Sequence, residues 1–531
     1  MTPVPLEPGG PVPSDPSADG VGGPERVVVV GAGFAGLNAV RHLARQPVAV
    51  TIVDHHNFHT FQPLLYQVAT AGLEPADVAY PVRTIFGREH NVVFRHGQVA
   101  SVDLEARTLV LEDGATIPYD ALVVATGATT GYFGVPGAVR HALPLYTLAD
   151  ARRVRNRVLG CLEAADARPE DFDGGAPSFV VVGGGATGVE TSGALVELLD
   201  LSVRRDRLRI DPERTRVHLL EAGDRLLGGF RPEAGSYAQA TLQSRGVDVR
   251  LETPVAEVTD RGVRLADGTW LPATVVVWAG GVTVDGTLAA GLAGRRGRGG
   301  RVLLEPDLSL PGHPEVFVAG DAGAVPWGPG RTDPTPQVAQ VAIQSGRHAA
   351  EQIGRRRQGL PTTAFRYHDK GLMATIGRHA AVAQLRRGPL LRGTLGWLAW
   401  LGLHLVYLVG FRNRAVVLIN WFWRYLDWPS GPRLIVADVD AESEDEAHAP
   451  PDDPGTGPAA AAQPAARRRG GKRGGTTGTG RSTKAPAAAP PPAAAPEPAA
   501  APEPAAAPAA PDGSGAGGGS QDAAPPGATS A

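Results

Sequence analysis

Two stretches of the chain combine a short apolar run, a cluster of glycines and a helical pattern of apolar residues. In the first stretch, the β-branched run 27–30 leads into three glycines, and apolar residues then recur at helical spacing. A second apolar run, 48–53, ends in Asp54. This order predicts a strand buried on both faces, a helix and a second, parallel strand.

The spacing of the glycines predicts a dinucleotide site. Gly31 permits a tight turn, Gly33 lets the backbone approach a pyrophosphate, and Gly36 lets the helix pack closely against the strand. The helix N-terminus offers free N–H groups to the phosphates, and Asp54 can accept hydrogen bonds from both ribose hydroxyls. The alternative, a glycine-rich turn in another kind of α/β unit, is disfavoured because strand, glycines, helix, strand and acid all occur in order.

The same pattern returns in the middle of the chain. An apolar run again leads into glycines, and the following strand pattern again ends in an acid, at Gly183, Gly185, Gly188 and Glu221. Such an internal repeat indicates two dinucleotide sites on one chain. Glu221 would repel a 2′-phosphate, which favours NADH over NADPH, although the nearby Arg225 leaves NADPH open.

Three further apolar strands end in small residues. The run 119–125 ends in Thr126 and Gly127, and the run 275–279 ends in Gly280, as expected of strands that pass beneath a nucleotide. The run 315–319 ends in Gly320-Asp321. The Asp321 carboxylate or a neighbouring N–H could hold a ribityl hydroxyl or a phosphate, or the carboxylate could simply cap a helix.

The composition suits a globular body of two or three domains with low-complexity ends. Hydrophobic residues make up 43% of the 531 residues, and the excess of Gly (69) and Pro (48) lies mostly toward the two ends. We therefore predict disordered tails at 1–25 and 438–531. The basic cluster 467–473 could contact anionic lipid, but a solvated tail is the favoured interpretation.

Charge and cysteine content exclude several classes of protein. The formal net charge of −3 disfavours a nucleic-acid partner. The single cysteine, Cys161, rules out an intramolecular disulfide, a CxxC redox pair and a thiolate metal cluster. Residues 1–25 contain neither the basic nor the apolar region of a secretory signal, so we expect a location on the cytosolic side.

Three histidines, His55, His56 and His59, follow the first acid. They could suggest a metal site, but the sequence offers no matching carboxylate–histidine set. We predict a polar loop beside the nucleotide and no bound metal.

The segment 394–428 is rich in apolar residues and contains five of the eight tryptophans, namely Trp397, Trp400, Trp421, Trp423 and Trp428. Its first apolar run, 395–411, is short for a spanning helix, which needs about 20 residues, and Arg412-Asn-Arg414 separates it from a second run. Tryptophan with interleaved arginine suits the headgroup zone. We predict two helices lying in the membrane interface; a spanning hairpin and a soluble dimer interface or core are the alternatives.

Four segments carry a resemblance to a known family. They are 57–70 (NFHTFQPLLYQVAT), Gly320-Asp321, 339–346 (AQVAIQSG) and 367–377 (YHDKGLMATIG). With the two nucleotide motifs, they make the chain from about residue 26 to 428 resemble the two-dinucleotide-binding-domain flavoproteins, and among these the type II NADH:quinone oxidoreductases. The resemblance implies that the first unit holds FAD, that the inserted second unit holds NADH, and that a C-terminal region lies on the membrane.

Position by position, the resemblance implies several sets of site residues. FAD and NADH would be held by Gly31, Gly33, Phe34, Ala35, Gly36, Asp54, Thr126, Gly127, Gly320 and Asp321, and by Gly183, Gly185, Gly188, Glu221 and Gly280, respectively. Glu190 would lie near nicotinamide and flavin, Gln340 and Gln344 would line the quinone pocket, and Lys370 would lie nearby. Each of these roles has a structural alternative, because a helix dipole alone favours an early carboxylate and glutamines at a flavin edge can serve solvent contact.

The expected fold class is therefore α/β, with two Rossmann-like dinucleotide-binding domains, the FAD domain split by the inserted NADH domain, a C-terminal amphipathic membrane-associated region and disordered tails. The expected boundaries are 1–25 (tail), 26–145 (FAD domain), 146–297 (NADH domain), 298–375 (FAD domain), 376–437 (membrane region) and 438–531 (tail).

The implied activity is hydride transfer from NADH to flavin N5, followed by two-electron reduction of a membrane quinone, menaquinone or ubiquinone, without proton pumping. The resemblance also implies the cytoplasmic face of the membrane and a homodimer. The main alternative is an NADH-dependent reductase of an iron–sulfur protein such as ferredoxin; a membrane-bound NADH sensor is another. Disulfide reductases and sulfide:quinone reductases are disfavoured because they need a cysteine pair.

Overall fold

A computed structural model of the protein describes residues 23–211, 213–284, 288–292, 294–328, 333–425 and 433–436. The chain separates into two units after Ser443, and every described residue belongs to the first unit. The predictions of disorder at residues 1–22 and 438–531, the basic cluster 467–473 and the interfacial position of Trp428 fall outside the described residues.

The first nucleotide motif lies in a six-stranded sheet. The β-branched run forms the strand Arg26–Val30, whose four valines are almost fully buried, as expected of a strand covered on both faces. Across the sheet the strands follow the order Ser309–Leu310, His313–Val318, Ala121–Val124, Arg26–Val30, Ala49–Asp54 and Val92–His96. Ser309–Leu310 pairs antiparallel with its neighbour, and the others pair in parallel.

The second nucleotide motif lies in a five-stranded parallel sheet with the order Leu143–Pro144, Val275–Trp278, Ser178–Val182, Arg216–Leu220 and Val247–Arg250. All of these strands come between Ala121–Val124 and His313–Val318 in sequence, so the second unit is inserted into the first. The predicted fold class is confirmed in this respect. The chain passes between the sheets as an antiparallel ribbon of Thr129–Thr130 and Val282–Thr283.

Smaller sheets complete the body. They are Val99–Asp103 with Thr108–Leu111 and Thr116–Pro118, Val255–Thr259 with Gly262–Leu265 and Trp270–Pro272, Leu372–Gly377 with Ala380–Gln384 and Leu390–Arg392, and Phe58–Thr60 with Ala79–Pro81. The α-helices are Phe34–Leu43, Leu65–Ala69, Pro75–Val78, Val82–Ile85, Ala138–His141, Leu148–Ala167, Ala186–Arg204, Pro232–Ser244, Leu288–Gly291, Ala339–Arg357, Gly393–Tyr407 and Phe411–Tyr425. The exact domain boundaries given above remain predictions.

The last two helices form what we call the C-terminal helix pair, Gly393–Tyr407 and Phe411–Tyr425. Gly410, with φ of +87°, lies between them, and a Cβ there would come within 2.5 Å of the Tyr80 ring. The expected interruption at Arg412–Arg414 was misplaced, because a helix accommodates arginine in its first turn whereas a left-handed glycine ends regular helix. Within the described residues, no helix is both long enough and apolar enough to cross a bilayer.

Three tryptophans of the helix pair face the protein body. Trp397, Trp400 and Trp421 are 6%, 1% and 3% exposed, and they join the hydrophobic core that also contains the second sheet. The prediction that they lie in the headgroup zone was wrong, because their large rings fill the space between the helix pair and the body. The side chain of Trp423 is outside the description.

Candidate functional site

The first glycine loop leaves open the space that a phosphate needs. A Cβ on Gly31, whose φ is +103°, would lie 2.3 Å from the Ala125 carbonyl oxygen, and a Cβ on Gly36 would lie 1.8 Å from the Gly31 carbonyl oxygen. By contrast, no atom of the described residues lies within 4 Å of the Cβ position at Gly33. No side chain caps the helix Phe34–Leu43, so its first N–H groups are available to an anion.

The second glycine loop repeats this geometry. Gly183 has φ of +106°, and a Cβ there would lie 2.4 Å from the Ala279 carbonyl oxygen. A Cβ on Gly188 would lie 1.8 Å from the Gly183 carbonyl oxygen, while the Cβ position at Gly185 is open. The helix Ala186–Arg204 also starts without a side-chain cap.

An acid stands beside each loop. The Ala32 N–H donates to Asp54 Oδ2 and the Gly184 N–H donates to Glu221 Oε2, both at 2.5 Å. Each carboxylate oxygen has two lone pairs, so the remaining ones are available to ribose hydroxyls.

The strand ends Thr126, Gly127 and Gly280 lie close to the loops, as the sequence predicts. A Cβ on Gly31 would lie 3.2 Å from the Thr126 nitrogen, and a Cβ on Gly183 would lie 2.8 Å from the Gly280 Cα. Gly127 has φ of +70°. The Thr126 hydroxyl oxygen is buried and has no hydrogen-bond partner among the described residues, so a bound group with a polar atom would satisfy it.

Asp321 is a second buried polar group that lacks a partner. Its Oδ1 makes no hydrogen bond within the described chain, and burial raises the pKa of its carboxyl group to about 6, against the opposing charge of Arg301. Asp321 lies inside the short 3₁₀ turn Gly320–Ala322, so it does not cap a helix. The neighbouring Gly320 N–H donates to Ser345 Oγ at 2.9 Å. A hydroxyl of a bound nucleotide is the kind of donor that the free oxygen requires.

Phe34 and Ala35, at the start of the first helix, have different surroundings. The Phe34 ring lies edge-on to His59, with 5.2 Å between centroids. Ala35 packs against the helix Ala339–Arg357, where a Cβ on Gly346 would lie 2.1 Å from the Ala35 carbonyl oxygen. Ala35 therefore holds the first helix tightly against the helix that carries Gln340.

His59 belongs to this site, although the sequence argument singled it out only as a possible metal ligand. Its Nδ1 lies 2.9 Å from the Ala32 carbonyl oxygen, and since that oxygen can only accept, Nδ1 carries the proton. Its Nε2 is buried and has no partner among the described residues, and burial lowers the pKa of the ring to about 4. His59 thus offers a neutral acceptor beside the first glycine loop. The segment 57–70, which carries the family resemblance, was the signal that could have identified it.

Asp54, which directly precedes His55 and His56, supplies a carboxylate next to these two histidines. Potential ligand atoms of Asp54, His55 and His56 lie within 4.8 Å of one another. Both oxygens of Asp54 already accept backbone N–H groups, from Ala32 and His56, and His59 points to a different neighbour. The Asp54 carboxylate therefore holds the backbone of this loop in place.

Glu190 is a buried acid on the helix that follows the second glycine loop. It is 8% exposed, and its Oε1 accepts a hydrogen bond from the Thr375 N–H at 3.2 Å. Burial raises the pKa of Glu190 to about 8, while the Thr375 N–H and the nearby Trp400 side chain oppose the shift. The group is therefore protonated at neutral pH, which makes it a candidate proton donor.

Gln340 and Gln344 clamp the loop that carries Lys370. Gln340 accepts from the Lys370 N–H at 3.1 Å and donates to the Gly371 carbonyl at 2.8 Å. Gln344 accepts from the His368 N–H and donates to its carbonyl, both at 2.9 Å. Lys370 Nζ donates to the Tyr407 hydroxyl at 3.0 Å. The structure brings the three predicted residues together, but it uses both glutamine amides to hold backbone.

The fold and the two loops define a flavoprotein of the class with two dinucleotide-binding domains. The family model for pyridine nucleotide–disulphide oxidoreductases matches residues 25–346, and the model for the NDH2 C-terminal domain matches residues 369–427.

Relatives narrow this class. The type II NADH:quinone oxidoreductase NdhA of Mycobacterium tuberculosis is 40% identical over 441 residues, which cover 80% of this chain and 92% of the relative. The type II NADH:quinone oxidoreductase of a Staphylococcus aureus strain is 29% identical over 376 residues, covering 69% and 91%. The structure of NDH2 from Plasmodium falciparum in complex with NADH superposes with a TM-score of 0.69 at 17% identity, covering 78% of this chain and all of that one, which supports the fold. The chain belongs to the family of type II NADH:quinone oxidoreductases.

Proposed function

We propose that this chain oxidises NADH and reduces a membrane quinone, menaquinone or ubiquinone, through bound FAD. The observation that carries the proposal is the pair of open glycine loops on one chain, each with an acid beside it and with buried, unpartnered polar atoms around the first. FAD, when bound, accepts a hydride from NADH and passes two electrons to the quinone. The proposed reaction does not pump protons across the membrane.

The first loop is proposed to hold FAD. Its pyrophosphate fits the open space at Gly33 and the uncapped start of the helix Phe34–Leu43, and Asp54 would accept from ribose hydroxyls. The free atoms of Thr126, Asp321 and His59 are the polar groups that a ligand would satisfy. The remaining proposed contacts come from Gly31, Phe34, Ala35, Gly36, Gly127 and Gly320.

The second loop is proposed to hold NADH. Its pyrophosphate would lie at Gly185, with Gly183, Gly188 and Gly280 shaping the space, and Glu221 would accept from the adenosine ribose. A carboxylate at this place repels the 2′-phosphate of NADPH, which supports NADH as the substrate.

Glu190 is proposed to supply a proton to the reaction. It is the fifth residue of the helix Ala186–Arg204, is protonated at neutral pH because it is buried, and contacts the strand Leu372–Gly377 from the C-terminal part of the body. A buried acid with a pKa near the working pH suits general acid catalysis.

Gln340, Gln344 and Lys370 are proposed to form the wall of the quinone pocket. Because the two amides are bonded to the backbone of residues 368–371, their contribution is to hold this loop and the Lys370 side chain in place. Lys370 is exposed and its ammonium group can donate to a quinone oxygen.

Membrane association comes with the family, and the proposed contact is the outer surface of the C-terminal helix pair. This apolar face, as we call it, comprises the exposed side chains Leu395, Leu398, Leu403, Val406, Leu418, Ile419 and Phe422. The sequence has no Asp or Glu between Asp369 and Asp427, and Arg412 and Arg414 are exposed beside the face. Apolar residues flanked by arginine suit a lipid surface. We place this surface on the cytoplasmic face of the membrane and extend the proposal to a homodimer.

Anaerobic stopped-flow absorbance of the purified protein tests the proposal. NADH should bleach the flavin band, and a short-chain menaquinone in a second mix should restore it rapidly. Reoxidation by ferredoxin in place of quinone would favour the iron–sulfur reductase alternative. A protein that carries no flavin would contradict the proposal.

A further inference from the structure

The first helix of the C-terminal pair carries the apolar face on one side and part of the wall around Glu190 on the other. Leu398 and Val406 are exposed, whereas Trp400 on the opposite side is 1% exposed. Trp400, Thr375 and Glu197 line a small cavity between the helix pair and the helix Ala186–Arg204. The membrane-facing element therefore also contributes to the surroundings of the buried acid.

Trp400 has an unsatisfied donor at this place. Its Nε1 is buried and makes no hydrogen bond to any described residue. The indole is held rigidly, because it stacks on His404 with 4.0 Å between centroids and packs against Trp421 at 5.9 Å. A buried N–H without an acceptor costs stability. A nearby carboxyl group that becomes a strong acceptor when it ionises would satisfy this N–H.

We propose that Trp400 is a positioning residue for Glu190: its indole N–H donates to the Glu190 carboxylate whenever that group is ionised, and its ring keeps bulk water away from the group. This inference rests on the role proposed above for Glu190. The step is a proton equilibrium: the Glu190 O–H bond breaks, the proton passes to water of the adjacent cavity, and the carboxylate gains the Trp400 N–H as a donor.

The remaining groups around Glu190 do not compete for this role. Glu197, on the same helix, accepts from Arg245 Nη1 at 3.0 Å and from the Arg378 N–H. The Tyr66 hydroxyl accepts from Gln67 Nε2 at 2.9 Å. His404 is neutral, since burial lowers the pKa of its ring to about 4, and its Nδ1 lies 2.7 Å from the Trp400 carbonyl oxygen.

The direction of the effect is determined by which form of Glu190 the indole stabilises. A donor to the ionised form lowers the pKa, which is consistent with Trp400 opposing the upward shift caused by burial. Removing the N–H should therefore raise the pKa further, by about one to two units if the bond has the usual strength of a hydrogen bond to a charged group. Simple loosening of the core would admit water and lower the pKa instead.

The test is a pH titration of the infrared C=O stretch of the protonated carboxyl group in the full-length protein. The band is assigned by its loss in Glu190→Gln. Trp400→Phe should move the midpoint to higher pH. The matched control is Trp421→Phe, which removes an indole N–H from the same aromatic layer, where that N–H donates to Gln67 Oε1 at 3.0 Å, and it should leave the midpoint unchanged.

An unchanged or lowered midpoint in Trp400→Phe, or an equal rise in Trp421→Phe, would overturn the proposal. If Trp400→Phe does not fold, replacing Trp400 by benzothienylalanine removes the N–H at almost constant shape and is judged by the same midpoint. Quinone reoxidation of the flavin, run on the wild type in parallel, separates the two proposals. If quinone does not reoxidise the flavin, the proposed function is wrong, whereas the titration of the Glu190 carboxyl group still decides the role of Trp400.

Discussion

Asp54 and Glu221 hold their glycine loops in the same way, although they lie in different sheets. Each carboxylate accepts a hydrogen bond at 2.5 Å from the N–H of the residue that follows the first glycine of its motif. Each also accepts one at 2.7 Å from the N–H of the residue two positions after the acid itself. The acid therefore holds the loop in addition to its proposed role as a ribose acceptor. The internal repeat seen in the sequence extends to individual hydrogen bonds.

The two open glycine positions should separate the two nucleotides. The Cβ position at Gly185 has no atom of the described residues within 4 Å, so Gly185→Val should fold and keep its flavin absorbance, while the Kd for NADH should rise by about tenfold or more. Gly33→Val is the matched change and should lose FAD while folding normally, as measured by flavin content and circular dichroism. Unaltered NADH binding in Gly185→Val would contradict the assignment of the second loop.

Replacing Glu221 should weaken the discrimination against NADPH. Glu221→Gln removes the charge and keeps one carbonyl oxygen, which can accept from the Gly184 or the Gly223 N–H group but not from both in the wild-type manner. We expect the ratio of kcat/KM for NADH to that for NADPH to fall by about tenfold, since the loss of one repulsive contact of about 1.4 kcal/mol has this effect. Glu221→Ala, which also removes the acceptor, should lower NADH binding further. An unchanged ratio in both variants would show that another group, such as Arg225, sets the preference.

Glu190→Gln should change how stability depends on pH. The pKa of Glu190 in the folded protein is raised from 4.5 to about 8, so the wild type is stabilised by the neutral form at low pH and loses this stability as pH rises between these two values. Glutamine cannot ionise and does not lose stability in this way. The Tm of Glu190→Gln minus the Tm of the wild type should therefore increase as the pH rises and become constant above about pH 8.

Thermal unfolding followed by circular dichroism across this pH range gives the comparison for Glu190. The control is Glu233→Gln, a change at an exposed glutamate in the first turn of the helix Pro232–Ser244. Parallel curves for wild type and Glu190→Gln would disprove the burial-driven shift.

Charges on the apolar face should release the protein from lipid. Burial of a Leu or Val side chain contributes about 1.5–3 kcal/mol, so Leu398→Glu combined with Val406→Glu should lower binding to lipid vesicles by about 100-fold or more. Val139→Glu, at an exposed apolar residue outside the helix pair, is the control. Vesicle co-sedimentation measures binding, and bleaching of the flavin by NADH should be the same in all three proteins. Equal sedimentation would place the lipid contact elsewhere.

The sequence by itself determined the two nucleotide units, because their signals are local. Strands, helices and the glycine turns follow from periodicity and from backbone conformations that few residues adopt, and Gly31 and Gly183 have the positive φ that their motifs require. The insertion of the second unit into the first was implied by the family resemblance, and the order of the strands confirms it.

Only the tertiary structure decided the environments of the side chains. The buried surroundings of Glu190 are formed by residues about two hundred positions away, at Thr375 and Trp400. The same is true of the amides of Gln340 and Gln344, which hold a backbone loop, and of three tryptophans of the helix pair, Trp397, Trp400 and Trp421, which face inward. The hydrogen-bond partners and the burial of a side chain depend on which distant segments pack together. A periodic pattern along the chain predicts which face of an element is buried, but not which residues it packs against.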